Sequence, residues 1–161
     1  YRKLLQFGTL SLSSSMNVIS KSYLFLDKGH FIIAHLPVHQ EVNIIPAIEY
    51  ALCNLKNVYL PRAKGNTLQF VETDSLDALK PGAFMIGEPQ GEAVAYDQID
   101  LVFVPLTSYD LDFNRTGYGK GYYDSILSKI RCKTGIGFSE QMVDHLETEA
   151  HAIRLDTVIH A

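Results

Sequence analysis

The sequence predicts an α/β fold: a single three-layer domain with a mainly parallel central sheet and helices on both faces. Three observations lead there. Short apolar runs bounded by turn residues recur along the chain, stretches with helical spacing lie between them, and 161 residues suit one domain.

The first thirty residues read as helical. Leu4, Leu5 and Leu12, then Val18, Ile19 and Leu26, make two amphipathic pieces, and the serines of LSLSSS between them can cap the second. This segment, 1–30, is expected to pack on the body of the domain. Strand candidates follow at FIIAHL (31–36), NVYLP (57–61), LQFV (68–71), DLVFVPL (100–106), TGIGF (134–138) and DTVIH (156–160). Several lack polar alternation, as strands covered on both faces do. In EVNIIPAIEYALCNL, Ile45, Ile48, Leu52 and Leu55 share a helical face, and Pro46 suits a first turn. In GYYDSILSKI, Tyr123, Ile126, Leu127 and Ile130 do the same. Strands alternating with helices imply crossover connections and hence parallel neighbours. No internal repeat or low-complexity linker divides the chain.

Composition narrows the function classes. With 47% hydrophobic and 20% charged residues, the chain is globular in character. A net charge of -4 argues against general nucleic-acid binding, which needs a basic face to displace phosphate counterions. No apolar run approaches the roughly 20 residues of a membrane-spanning helix, and YRKLLQFGTLSLSSSM lacks a clean signal-peptide cleavage site. A cytoplasmic protein with neither nucleic acid nor membrane as partner is therefore expected. The chain starts at Tyr1 rather than Met, which leaves room for residues upstream. Cys53 and Cys132 stand far apart with no Cys or paired His nearby, so they are expected to be buried or idle thiols rather than zinc ligands or a disulfide. The six histidines lack ligand spacing, and none is assigned a role.

The chemistry concentrates in RTGYGKGYYD, residues 115–124. It follows the strand candidate DLVFVPL and a polar loop, and it precedes a helix. In open parallel sheets, ligands gather at the carboxyl ends of strands beside the next helix. Gly117, Gly119 and Gly121 can turn backbone amides toward one anion, a helix N-terminus adds a positive end, and Arg115 and Lys120 supply full charge. Phosphate is the natural guest. Asp124 beside phosphate makes sense if a magnesium ion lies between them, since magnesium takes one or two carboxylates together with phosphate oxygens. The pattern is neither a Walker loop, in which Ser or Thr follows the Lys, nor the dinucleotide fingerprint, whose third glycine comes one position later. On its glycines alone it reads first as a flexible turn with one incidental lysine, and the YYD tail and preceding strand turn the reading toward phosphate.

The stretch R-T-G-Y-G-K-G-Y-Y-D, preceded by IDLVFVP and the Tyr109-Asp110 pair, resembles the 5-formyltetrahydrofolate cyclo-ligase family. LPVHQEV, YLPR, IGEP and GIGFSEQ resemble further family segments in order, so the likeness spans nearly the whole chain. The resemblance implies a ligase of one-carbon metabolism with ATP, magnesium and 5-formyltetrahydrofolate as its ligands. It assigns the nucleotide to Arg2, Arg115, Gly117, Tyr118, Gly119, Lys120, Gly121, Tyr122 and Tyr123. Lys120, Arg115 and Tyr122 would act in catalysis, and Asp124 would hold magnesium. Leu36, Glu41, Tyr118 and Tyr122 would bind the folate. Read by themselves, Glu41 could equally complement a helix dipole and Tyr123 could equally be core.

Departures from the family pattern are also legible. Ala152 stands where the family has an Asp that touches metal or nucleotide, and the nearby Asp156 is at a strand start that points it elsewhere. Thr116 replaces leucine, Ser125 replaces arginine, and the stretch from Ser13 to Phe31 is short. A catalytically weakened relative that binds nucleotide or folate without efficient turnover is the alternative expectation.

Overall fold

The computed structural model describes residues 31–33, 36–37, 41–54 and 57–160. The helical pieces expected over 1–30, and Arg2 with them, lie outside the described residues. In chain order the elements are β1 (Phe31–Ile33), α1 (Ile45–Cys53), β2 (Asn57–Lys64), β3 (Thr67–Glu72), β4 (Lys80–Pro81) and β5 (Gly87–Glu88). They continue with β6 (Leu101–Pro105), β7 (Ser108–Tyr109), β8 (Arg115–Thr116), α2 (Asp124–Leu127), β9 (Cys132–Gly137) and β10 (Thr157–His160).

Each expected strand forms, and the fold is α/β with a largely parallel sheet. Its order is β10-β9-β6-β1-β2-β3. All neighbours run parallel except β3, which returns antiparallel to β2 in the register Lys64↔Thr67 after the two-residue turn Gly65-Asn66. Two small antiparallel ribbons, β4–β5 and β7–β8, stand outside the sheet.

Successive residues of β6 enter different cores, as a strand's period of two requires. Leu101 and Phe103 join Val58, Leu60, Ile136 and Ile159 in a cluster that includes Ala47, Ile48 and Ala51 of α1. Val102 and Val104 join Tyr59, Phe70 and Leu106 in a cluster that includes Ile126 and Leu127 of α2 and the following Ile130. This explains why VFV shows no polar alternation.

Both helices differ from expectation. The buried face of α1 is Ala47, Ile48 and Ala51, with Ile44 just before it, whereas Ile45 and Leu52 are half-buried. Small alanines let the helix axis approach the sheet, and they give a weaker apolar signal than the leucines beside them. Leu55 lies outside the described residues. Pro46 occupies the first turn, as its fixed φ favours. In GYYDSILSKI only Asp124–Leu127 is α-helical, and the chain then tightens through bonds from Lys129 N–H to Ile126 O and Ile130 N–H to Leu127 O. So short a helix sums few peptide dipoles, and the positive helix end invoked for phosphate is correspondingly weak. Cys53 and Cys132, expected to be buried or idle, are exposed free thiols, so burial is the alternative that fails. Among the described residues no helix is long and apolar enough to cross a membrane.

Candidate functional site

The glycine loop is launched from the β7–β8 ribbon, which pairs Ser108 with Thr116 and Tyr109 with Arg115. Thr116, unusual for the motif, fits here: its carbonyl accepts from Thr107 N–H at 2.8 Å, and the two hydroxyls lie 2.9 Å apart. The bend between the ribbon's strands is built on Asp110, only 1% exposed. Its carboxylate accepts from the amides of Asp112, Asn114 and Leu146 and from Asn114 Nδ2, each at 3.0 Å. Burial pushes this carboxyl up, but the four hydrogen bonds outweigh burial and hold it below the ordinary carboxylate value. Asn114 in turn accepts from Arg154 Nε at 3.2 Å. Asp110 thus fixes the corner from which Arg115 emerges. In the sequence it shows only as half of a Tyr-Asp pair, and the cue available was an Asp four residues before an Asn in a turn.

Arg115 turns inward, with its side chain 5% exposed. Its Nη2 lies 3.2 Å from Asp124 Oδ1, and its guanidinium carbon sits 5.8 Å from the centroid of the Tyr123 ring. Burial pulls the guanidinium pKa down, against the opposing pull of Asp124 and Tyr123. Its Nε is buried without a hydrogen-bond partner. Gly117 leaves room for this side chain, since a Cβ there would stand 3.0 Å from Arg115 Nη1. Gly119 and Gly121 have φ of 79° and 65°, in the left-handed region that favours glycine. Together these conformations keep Gly117 to Gly121 exposed above the buried arginine.

The loop forms one wall of a cavity of about 650 Å³ at the carboxyl ends of the parallel strands. Leu36, beyond β1, and Pro105, at the end of β6, line it, as do Pro61 and Ala63 in the second half of β2. Of the residues singled out in the sequence, Leu36, Glu41, Arg115, Gly117, Tyr118, Gly119, Lys120, Gly121, Tyr122, Tyr123 and Asp124 all line this one cavity. Arg2 is the exception, being outside the described residues. Ala152 lines it too, within a wall that includes Glu147, Thr148, Glu149 and His151. Asp156 does not: its carboxylate accepts from Lys133 N–H at 2.7 Å, and Lys133 Nζ is 3.5 Å away.

Glu41 ties the two sides together. Tyr118, on the glycine loop, donates a hydrogen bond to the Glu41 carboxylate. Its phenol is raised above the ordinary value by partial desolvation first, then by the Glu41 charge and this bond. Tyr123 is raised further, by burial and then Glu41, with Arg115 opposing. Tyr123 is therefore both packed among core residues and part of the cavity wall. Ser125, which replaces a family arginine, closes the turn by donating to the Tyr122 carbonyl at 2.7 Å.

Glu88 falls within IGEP, a segment that carries the resemblance, but the sequence assigns it no role. Its Oε1 accepts from the amides of Ala63 and Ala83, each at 3.2 Å, where the side chain reaches the cavity wall. Among the described residues no group of three or more His, Cys, Asp or Glu is arranged to hold a metal ion. A metal carried in on phosphates needs only one protein carboxylate, and Asp124 is a carboxylate that lines the cavity.

The sheet and cavity define a class: α/β proteins with a ligand site at the carboxyl ends of parallel strands, walled by a glycine loop. Within that class, the chain belongs to the 5-formyltetrahydrofolate cyclo-ligase family, whose profile matches residues 14–161. It is 33% identical over 129 residues to a probable 5-formyltetrahydrofolate cyclo-ligase of Schizosaccharomyces pombe, covering 67% of this chain and 62% of that one. It is 33% identical over 104 residues to the 5-formyltetrahydrofolate cyclo-ligase of Haemophilus influenzae, covering 58% of this chain and 56% of that one. The chain thus matches about three fifths of the length of these relatives. Among solved structures, the Aquifex aeolicus 5,10-methenyltetrahydrofolate synthetase superposes with a TM-score of 0.80 at 33% identity. That superposition covers 91% of this chain and 77% of that one.

Proposed function

We propose that the protein is an ATP-dependent 5-formyltetrahydrofolate cyclo-ligase that makes 5,10-methenyltetrahydrofolate. The observation that carries this reading is the convergence of Arg115, Lys120, Asp124, Glu41 and Tyr118 on one cavity in a chain of this family. The formyl oxygen of the substrate is a poor leaving group. Transfer of the ATP γ-phosphoryl to it releases ADP and leaves a phosphorylated iminium. The folate N10 attacks that carbon and loses its proton, and the carbon–oxygen bond breaks to release phosphate.

Such a reaction asks a protein mainly for positioning and charge compensation. Amides of Gly117 to Gly121 would face the nucleotide phosphates, Lys120 would meet the transferring group, and Arg115 would flank it. Arg2 and Tyr123 complete the nucleotide set in this reading. Glu41 would accept hydrogen bonds from the flat pterin ring, with Leu36 against its face and Tyr118 and Tyr122 stacking on it. Asp124 would hold a magnesium ion that offsets phosphate charge. Arg115 Nη2 engages only Oδ1 of Asp124, so Oδ2 would serve the ion while the guanidinium flanks the phosphates.

The same reading takes the two cores as the interior of a three-layer domain, with α1 and α2 on opposite faces of the sheet, and places the protein in the cytoplasm. The test is direct. Protein supplied with MgATP and 5-formyltetrahydrofolate should develop the near-ultraviolet absorbance of the methenyl product, and Lys120→Ala should abolish it. Wild type that binds both ligands without any absorbance change would sink the enzyme reading.

One observation favours a second reading. Ala152 lines the cavity where the family has an Asp, and Asp124 is engaged by Arg115. A weakened member would bind folate tightly in calorimetry while forming no ADP.

A further inference from the structure

We infer that Glu88 is a positioning residue that fixes the apolar end of the cavity. The small β4–β5 ribbon (Lys80–Pro81 and Gly87–Glu88) and its turn contribute to that wall, with Ala83 and Ile86 lining the cavity along with Pro61, Ala63 and Leu68 of β2 and β3. The ribbon has only the pairs Lys80↔Glu88 and Pro81↔Gly87. Its turn is strained: Met85 adopts φ 60° and stands 83% exposed. Backbone bonds from Gly82 N–H to Ile86 O at 2.9 Å and from Met85 N–H to Gly82 O and Ile86 N–H to Ala83 O, each at 3.2 Å, close the turn on itself. A two-pair ribbon this small still does not fix its own place against the sheet.

Glu88 supplies what the ribbon lacks. A single oxygen, Oε1, accepts from Ala63 N–H on β2 and from Ala83 N–H in the turn, each at 3.2 Å. The carboxylate thereby staples turn to sheet across the cavity wall. Gly82 makes this possible, because a Cβ there would lie 2.0 Å from Glu88 Cδ. By tying the turn to β2, this one side chain fixes where Ala83 and Ile86 stand beside Ala63 in the cavity wall. A fixed wall of apolar side chains suits the face of a flat ring. Under the function proposed above, on which this step rests, that ring belongs to the reduced folate and not to the nucleotide.

The charge of Glu88 is not what the staple uses, because an amide oxygen at the same place accepts the same two bonds. This separates positioning from direct contact with ligand. Calorimetry with 5-formyltetrahydrofolate, and separately with a non-hydrolysable ATP analogue and magnesium, should be run on wild type, Glu88→Ala and Glu88→Gln. Hydrogen exchange over 80–88 and at Ala63 should be followed in all three. Glu88→Ala should weaken folate binding at least tenfold, leave the nucleotide within threefold, and raise exchange across the ribbon. Glu88→Gln should restore all three to near wild type. Folate affinity unchanged in Glu88→Ala would overturn the inference, as would a Glu88→Gln variant that falls as far as alanine. If wild type binds no folate, the functional reading fails. The staple is then judged by exchange alone, and unchanged protection in Glu88→Ala rejects it.

Discussion

At Asp110, four donors converge on one buried carboxylate, and the folded pKa lies below the ordinary value. The stability this contributes is fully present above the unfolded carboxylate pKa of about 3.9 and is lost as pH falls through the folded pKa. Asp110→Asn should therefore cost roughly 1.5 to 3 kcal/mol near neutral pH, the range for hydrogen bonds to a charged group. Urea unfolding at several pH values should show the gap between variant and wild type closing below about pH 4. Arg115 and Asp124 make a different kind of pair, one side 5% exposed and the other 30%. Asp124→Ala strands a buried guanidinium. Because Asp124 is partly solvated, we expect a loss of about 1 to 2 kcal/mol, below the figure for fully buried pairs, measurable as a lowered thermal midpoint.

At the scale of elements, β9 packs closely against its neighbours at Gly135. A Cβ at Gly135 would lie 2.5 Å from Leu155 Cδ1 and 2.9 Å from Leu106 Cδ2. Gly135→Ala should destabilise by roughly 1 to 3 kcal/mol through overpacking, which thermal unfolding would detect as a drop of several degrees. Strand identity was legible because β-rich apolar runs such as DLVFVPL, bounded by turn residues, have few other uses. Helix faces were less so: in α1 the alanines at 47 and 51 pack on the sheet, and the larger side chains beside them drew the expected face one residue off. The cavity's glycine wall could be read from the motif, since phosphate-like chemistry was written in residue types. The opposite wall could not. Glu88 acts through backbone amides of residues 5 and 25 positions away, and nothing local marks such a contact.

For the molecule as a whole, the cavity couples stability to ligand. A nucleotide present at about 100 times its dissociation constant should add roughly 2.7 kcal/mol, seen as a raised unfolding midpoint that disappears in Lys120→Ala. Ala152 faces the same space as Asp124. Ala152→Asp should tighten the magnesium-dependent part of nucleotide binding, and calorimetry with and without the ion would show it. No gain would mean that water already serves where the carboxylate is missing. The two exposed thiols are at the other end of the fold. Cys132 opens β9, whereas the cavity lies beyond the strands' closing ends, and Cys53 ends α1, about 12 Å along the helix from its cavity-side start at Ile45. A fluorophore on either sulfur would therefore report binding from a distance without entering the site. Left unprotected in air, the same sulfurs would cross-link neighbouring copies through disulfides that leave the cavity mouths open.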